Sequence, residues 1–379
     1  MENLFITQIH IKKVRHIEDL TVEICSEQRK HLIVTGKNGS GKTSLLEAMR
    51  EAILESQALK FRIDPATDVI PLRIRGVLAD IRIRFSHRTH TLSHYTFAYI
   101  TARRNELVQP KAIQQFQLQD KNTITQSASK NFLNYILSLD YQLYGAKADN
   151  NTELEMSLTN WFSNFTGVLK NIYDCPDLRL VRDTKNLTFK ISIPGQELFA
   201  LNEMSDGYAA FINIYMELLM RLETSDGIVD YQKSAIVLID EIETHLHVEL
   251  QKRVLPFLTT MFPNVQFIVS THSPFVMTSL ENAVVFDLET KQRLESPIFY
   301  SYDTIVESFL DTSMYSAELI KLFNRYKELC LKDRTSDENK EFLRVKSEFE
   351  IKAIPSTELY MAFIDLENAR KAAKNGTPK

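Results

Sequence analysis

The chain has 379 residues, 44% of them hydrophobic, which suits two or three domain-sized units with sizeable cores. Its formal net charge of −4 excludes a polycation that binds nucleic acid indiscriminately, and three scattered cysteines (Cys25, Cys175, Cys330) exclude a disulfide framework or a Cys-based metal site. There is no cationic-then-apolar leader and no uncharged apolar stretch of about 18 residues, so the expectation is a cytoplasmic chain with free thiols and no membrane segment.

Phe5–Val14 and Leu20–Ile24 alternate apolar and polar positions across a short charged turn, predicting an antiparallel strand pair. The apolar run Leu32-Ile33-Val34 then leads into Gly36, Lys37, Asn38, Gly39, Ser40, Gly41, Lys42 and Thr43, a G-x-x-x-x-G-K-T run followed by Ser44. Glycines there let the backbone wrap closely around phosphates, and a helix starting near Gly41 aims unpaired N–H groups and its positive dipole end at the anion. The pattern assigns Lys42 to the β- and γ-phosphates and the Thr43 hydroxyl to Mg²⁺. Leu45, Leu46, Met49 and Ile53 give the helix one apolar face. The implied ligands are ATP, or another nucleoside triphosphate, and Mg²⁺.

Between Lys60 and Arg104 stand nine basic residues against three acidic ones. Ile81–Phe85 alternates strictly, placing Arg82 and Arg84 on one strand face and Ile81, Ile83 and Phe85 on the other. That basic face is either plain solvated surface or a contact for DNA or RNA phosphates. Phe116–Val168 is helical in pattern, dense in apolar residues around Phe132–Leu139, and carries no long heptad run.

Ser205-Asp206-Gly207 opens a predicted helix with apolar positions Phe211, Ile214, Tyr215, Leu218 and Leu222. Ile236-Val237-Leu238-Ile239 reads as a central parallel strand ending in Asp240 and Glu241. At such a strand end Asp240 can hold Mg²⁺ and Glu241 can act as general base on the attacking water. A further strand, Val265–Val269, delivers Ser270-Thr271-His272-Ser273, from which His272 can touch the γ-phosphate, and Pro274 starts a helix. His245 and His247, with Asp240 and Glu243 nearby, are not read as a metal site, because histidines at i and i+2 do not share a helix face. From Tyr300 the chain becomes charged and helix-rich, without an acidic nuclease cluster, and reads as a docking appendix or a cap.

Taken together, the order of motifs resembles the ATP-binding-cassette ATPases of the SMC/RecF/OLD type over about Phe5–Leu288. Gly36–Thr43 match Walker A, Met204–Tyr208 a divergent signature, Asp240–Glu241 Walker B and His272 the switch. "IDEIETHLH" is similar to the "DEPExHLHP" run of the OLD-like branch, with Ile242 in place of proline. No Q-loop glutamine stands out among Gln109, Gln114, Gln115 and Gln117. The resemblance implies an α/β ABC-type head with a mixed central sheet. It divides as follows: residues 1–104 with Walker A and the basic strand, a mainly helical lobe at 105–200, the rest of the head at 201–299, and a helical appendix at 300–379. It also implies a head-to-tail homodimer in which Ser205 and Gly207 of one chain complete the ATP site of the other. The expected function is an ATPase switch of an anti-phage defence system, controlling a nuclease or toxin effector in trans. Two alternatives stand beside it: a RecF-like DNA-repair clamp, and a scaffold that binds ATP without hydrolysing it.

Overall fold

The structure is a computed structural model that describes residues 4–58, 69–74, 79–86, 95–103, 131–222, 231–310, 313, 315–331, 334–353 and 357–375. The chain separates into two compact units, 1–305 and 306–379.

In the first unit, β1 (Ile6–Val14) and β2 (Ile17–Glu23) form the antiparallel pair, and β3 (His31–Thr35) leads to α1 (Lys42–Ala58). Three strands follow: β4 (Val69–Ile74), β5 (Ala79–Phe85) and β6 (Thr96–Ile100). Next come α2 (Phe132–Ala148), α3 (Thr152–Tyr173), β7 (Arg179–Asp183), β8 (Thr188–Ser192) and β9 (Phe199–Ala200). The remainder is α4 (Asp206–Leu222), β10 (Ala235–Ile239), α5 (Val248–Met261), β11 (Val265–Ser270), α6 (Pro274–Met277), β12 (Ala283–Asp287), β13 (Arg293–Glu295) and the short α7 (Tyr302–Thr304).

A six-stranded sheet runs in the order β13-β12-β3-β11-β10-β6. Its four pairings from β12 to β6 are parallel, while β13 is antiparallel at the edge, so the sheet is mixed. Every residue of β3, β10, β11 and β12 is buried, as the continuous apolar runs require for strands covered on both faces. Because β3, β11 and β10 are adjacent and parallel, the segments leaving their C-terminal ends emerge side by side.

A second, antiparallel sheet has the order β2-β1-β5-β4. Helix α1 packs against strands of both sheets, and Ile9, Ile11, Val22, Leu45, Met49, Ile53, Ile81 and Ile83 share one core. A polar side chain also ties the sheets. Gln266 of β11 is fully buried; its Oε1 accepts from the Ile6 N–H (2.7 Å), and its Nε2 donates to the carbonyls of Ile6 and Lys30 (2.9 Å each). With all three bonds made, burial of this amide carries little penalty.

Helices α2 and α3 pack through the tilted Phe132–Phe165 and edge-on Tyr135–Trp161 ring pairs, and Trp161 stacks on Phe165 within α3. The segment expected as a mainly helical lobe also contains the three-stranded antiparallel sheet β7-β8-β9, which the sequence reading did not place. Helix α4 is buried on nearly every side. Its polar positions Asn213, Glu217 and Arg221 are buried too, the last two joined in an i,i+4 ion pair of 2.6 Å.

The second unit contains α8 (Ala317–Cys330), α9 (Ser336–Lys352) and α10 (Glu358–Asn375), packed around Tyr326, Phe342, Phe349 and Phe363. A reciprocal Thr335/Glu338 capping box starts α9. The buried Glu367 carboxylate accepts from Tyr326, Lys346 and Arg370, which satisfies its charge inside the bundle. Among the described residues no helix is long and apolar enough to cross a membrane.

Candidate nucleotide site

The turn after β3 has Gly36, Gly39 and Gly41 at φ values of 137°, 85° and 100°, a region that L side chains rarely adopt. A Cβ on Gly36 would lie 2.7 Å from Ser40 Oγ, and one on Gly41 would lie 2.7 Å from Ile17 Cδ1. The backbone conformation thus favours glycine at both positions, and an added Cβ would also have to displace the Ser40 or Ile17 side chain. Lys37, Asn38 and Gly39 are exposed at its crown, while Ser40 Oγ is buried without a partner. Lys42 opens α1 with a buried side chain whose Nζ donates to the carbonyls of Gly36 (2.8 Å) and Lys37 (3.1 Å). Burial pulls its pKa below the usual lysine value, against the opposing fields of Glu241, Glu243, Asp240 and Asp287. Ser44 follows Thr43 in the first turn of the helix.

Thr43 faces the end of β10. Its Oγ1 donates to Asp240 Oδ1 (3.2 Å), bringing a hydroxyl and a carboxylate together where a hard cation takes oxygen ligands. Asp240 is buried, and its N–H donates to the Ile100 carbonyl (2.8 Å), which anchors the strand end to β6. Ser270, at the end of β11, completes the junction. Its hydroxyl donates to Asp240 Oδ1 (2.6 Å) and accepts from the Glu241 N–H (2.8 Å). Glu241 has φ of 43°, an uncommon conformation for a residue with a side chain, and its Oε2 accepts from Thr244 Oγ1 (3.2 Å).

His272 follows β11 and is half-buried. Burial lowers its pKa first and the Lys42 ammonium second, against Glu243 and Glu241, so the ring favours its neutral form. Its N–H donates to Glu243 Oε1 (2.6 Å). Ser205 and Asp206 lie exposed at the start of α4, and Gly207 is buried. The Tyr208 ring stacks on Tyr173 at the end of α3, with centroids 4.0 Å apart.

Lys42, Thr43, Asp240, Glu241 and His272 thus converge in one chain, whereas Ser205 and Gly207 sit on the separate α4 start. The positive-φ glycines, the unpartnered Ser40 hydroxyl and the Thr43–Asp240 oxygen pair fit a triphosphate with its metal. Ser270 and Gln251 carry no role in the sequence reading, and Glu243 figures there only as a neighbour of His245 and His247. The signal for Ser270 was available, since the sole hydroxyl ending an apolar strand beside a carboxylate-tipped one has to bond something. Gln109, Gln114, Gln115 and Gln117 lie outside the described residues. His245 and His247 lie in and just after the turn that follows β10, and no metal-binding group of three or more His, Cys, Asp or Glu is found among the described residues.

The family model described as "AAA domain, putative AbiEii toxin, Type IV TA system" matches residues 32–278, well over half of the chain. The chain belongs to this family. The matched AAA domain spans β3 through α6 and so contains the C-terminal ends of β3, β10 and β11. Among curated proteins, the chain is 28% identical to "Retron Vc95 probable ATPase" of Vibrio cholerae serotype O1 biovar El Tor, over 42% of this chain and 33% of the relative. It is 22% identical to "Septu protein PtuA" of Bacillus mycoides (strain KBAB4), over 90% of this chain and 49% of the relative. The matches therefore span half or less of these relatives' lengths. Among solved structures, an Smc head bound to the C-terminal winged-helix domain of ScpA matches at 15% identity and TM-score 0.43, covering 76% of this chain and 96% of that one. The mixed central sheet with its antiparallel N-terminal sheet is read from the strand order of this chain.

Proposed function

We propose that this AAA-domain chain binds ATP with Mg²⁺ at the turn after β3 and hydrolyses it as a nucleotide-gated dimeric switch. The observation that carries the reading is the approach of Thr43 Oγ1 to Asp240 Oδ1 (3.2 Å) beside the buried Lys42. In this reading Gly36–Ser44 cradle the phosphates, and Thr43 and Asp240 hold the metal, which supplies charge neutralisation on the phosphate oxygens. Glu241 takes the proton from the attacking water, Lys42 counters the phosphate charge, and the neutral His272 donates from its ring to the γ-phosphate. Ser205 and Gly207 of a second copy complete the site in a head-to-tail homodimer, a reading supported by the exposed start of α4.

The names of the relatives, a Septu protein and a retron ATPase, support a role as the ATPase of an anti-phage defence system that controls an effector protein in trans. Steady-state ATPase measurement on the wild-type chain, with and without Mg²⁺, tests the core of the proposal; a chain that neither binds nor turns over ATP would refute it.

A second reading, direct contact with DNA or RNA in the manner of a RecF-like clamp, is favoured by one observation. Arg82 and Arg84 are exposed on the same face of β5, opposite His10 and Gln8 of β1, while Ile81, Ile83 and Phe85 are buried behind them.

A further inference from the structure

The turn after β10 and the turn after β11 are joined by more than the sheet between them. The Ile242 N–H donates to the Ser270 carbonyl (3.1 Å). Beyond that backbone bond, two side chains reach the turn after β11, one from the turn after β10 and one from α5. Glu243 Oε1 accepts from the His272 N–H at 2.6 Å, a charge-assisted bond to the main chain of the very residue whose ring feels the Lys42 charge. Gln251, from the second turn of α5, accepts from the Ser273 hydroxyl through Oε1 (2.6 Å) and donates from Nε2 to the Leu246 carbonyl (2.7 Å). Ser273 in turn caps α6, its Oγ accepting from the N–H groups of Phe275 and Val276. His272 is thus held from both sides, on its own N–H by Glu243 and through the next residue by Gln251.

We propose that Glu243 is a positioning residue that fixes the His272 backbone, with Gln251 as the second tie, so that the turn after the Asp240–Glu241 strand sets where the His272 ring meets the γ-phosphate. The inference rests on the role given to His272 above. Glu243 itself touches no reacting atom in this scheme. A backbone N–H anchored by a carboxylate keeps the root of the imidazole in place, and a shift of about 1 Å at such a group costs about 10²-fold in rate. The other carboxylate oxygen of Glu243, Oε2, is buried without a hydrogen-bond partner, so the accepted His272 bond is the part of the side chain to preserve in a conservative variant.

The test uses the full chain with and without ATP and Mg²⁺, and reads amide hydrogen exchange at His272 alongside ATP affinity and turnover. In Glu243→Ala the His272 amide should exchange about 10- to 100-fold faster, the range for losing a bond to a charged acceptor, with protection in β3 and β10 unchanged. The kcat should fall about 10²-fold while the Kd for ATP stays within about threefold, since the loss falls on the reacting geometry rather than on uniform binding. Glu243→Gln keeps an acceptor and should restore most of the exchange protection and most of kcat. The double variant Glu243→Ala/His272→Ala should be no slower than His272→Ala alone, because both lesions act through one ring.

Unchanged exchange at His272 in the alanine variant overturns the proposal, as does a fully additive double variant. If the alanine variant loosens β3 and β10 as well, the glutamine variant decides, and a loss there equal to that of alanine also overturns it. Should His272→Ala hydrolyse ATP at the wild-type rate, the role of His272 falls, while the exchange comparison still decides whether Glu243 holds the turn.

Discussion

Gly207 packs directly against the His245 carbonyl: a Cβ built on this glycine would lie 3.1 Å from that oxygen and 3.3 Å from Cδ2 of His247. The start of α4 is therefore seated on the turn that follows Asp240 and Glu241. Through Glu243 and Gln251 the same turn reaches His272 and Ser273. A residue proposed to serve a second copy's nucleotide and the residues proposed to act on this chain's own nucleotide share one support. Gly207→Ala should be close to neutral, because alanine's helix preference of up to about 1 kcal/mol offsets a contact tight by only a few tenths of an ångström. Gly207→Val adds bulk with no such relief and should cost about 1–3 kcal/mol of stability, read as a lower urea midpoint. A valine variant as stable as wild type would mean that the turn yields freely and supports nothing.

Hydrolysis should depend on Glu241. Glu241→Gln is expected to keep ATP affinity while cutting turnover by about 10²-fold or more, the loss that follows removal of a positioned base. Lys42→Ala should instead weaken ATP binding itself, since its buried ammonium is aimed into the glycine turn. Isothermal titration with ATP on both variants, beside phosphate-release rates, separates the two effects. Equal rates for wild type and the glutamine variant would remove Glu241 as the base.

The parts of this site that were legible in the sequence are those written in local pattern. Continuous apolar, β-branched runs gave β3, β10 and β11, and the residues just past their ends gave Lys42, Asp240 and His272. What local pattern could not give were residues that bond across chain distance. Gln266 interrupts an apolar strand and looks like a polar residue facing solvent, yet it is buried and bonded to the backbone of Ile6. Asn213, Glu217 and Arg221 recur at helical spacing, as on a solvated face, but the Glu217–Arg221 pair lets that face be buried. Ser270, Glu243 and Gln251 acquire meaning only once the parallel order of β10 and β11 places their turns together.

His31 should make stability depend on pH in one direction. Its ring is buried in β3, and Nδ1 accepts the Phe267 N–H (3.0 Å), which requires that nitrogen to be unprotonated. Burial, helped by repulsion from Arg29, pushes its pKa down to about 4. The unfolded chain takes up a proton near the ordinary value of about 6.5. Between about pH 6.5 and 4 the unfolded state therefore binds more protons, and stability falls as pH falls, by about 1.4 kcal/mol per unit from this group. Above that window the group adds no slope. His31→Gln, which retains an acceptor for Phe267, should flatten the slope in urea midpoints taken from pH 7 to pH 4.5. An unchanged slope would assign acid sensitivity to other groups.

The basic face of β5 makes a separate prediction. Arg82 and Arg84 are exposed, so an Arg82→Glu/Arg84→Glu variant should fold normally and keep the ATPase rate of the free protein. If the face contacts phosphates, binding to DNA or RNA should weaken and the salt dependence should flatten by about two phosphate contacts. Fluorescence anisotropy with labelled single- and double-stranded oligonucleotides at several salt concentrations reads both. Unaltered affinity would return these arginines to ordinary solvated surface.

The shared site is the most demanding claim, and mixing two dead variants tests it. Ser205 is exposed just before α4, so Ser205→Arg should leave the fold and ATP binding intact while placing a bulky cation where two copies must close. Lys42→Ala disables the other half of the site. In a heterodimer of the two, both lesions fall in one composite site, and the remaining site has wild-type Lys42 from one chain and wild-type Ser205 from the other. Mixing should therefore restore part of the hydrolysis that neither variant shows alone, to at most about half of the wild-type rate when one site in two is intact in each mixed pair. Co-purification of the untagged variant with an affinity-tagged copy of the other establishes that subunits exchange. Heterodimers that form yet stay inactive would mean that sites fire only in pairs or are not shared. A Ser205→Arg chain that hydrolyses ATP at the wild-type rate would decide for a site complete within one chain.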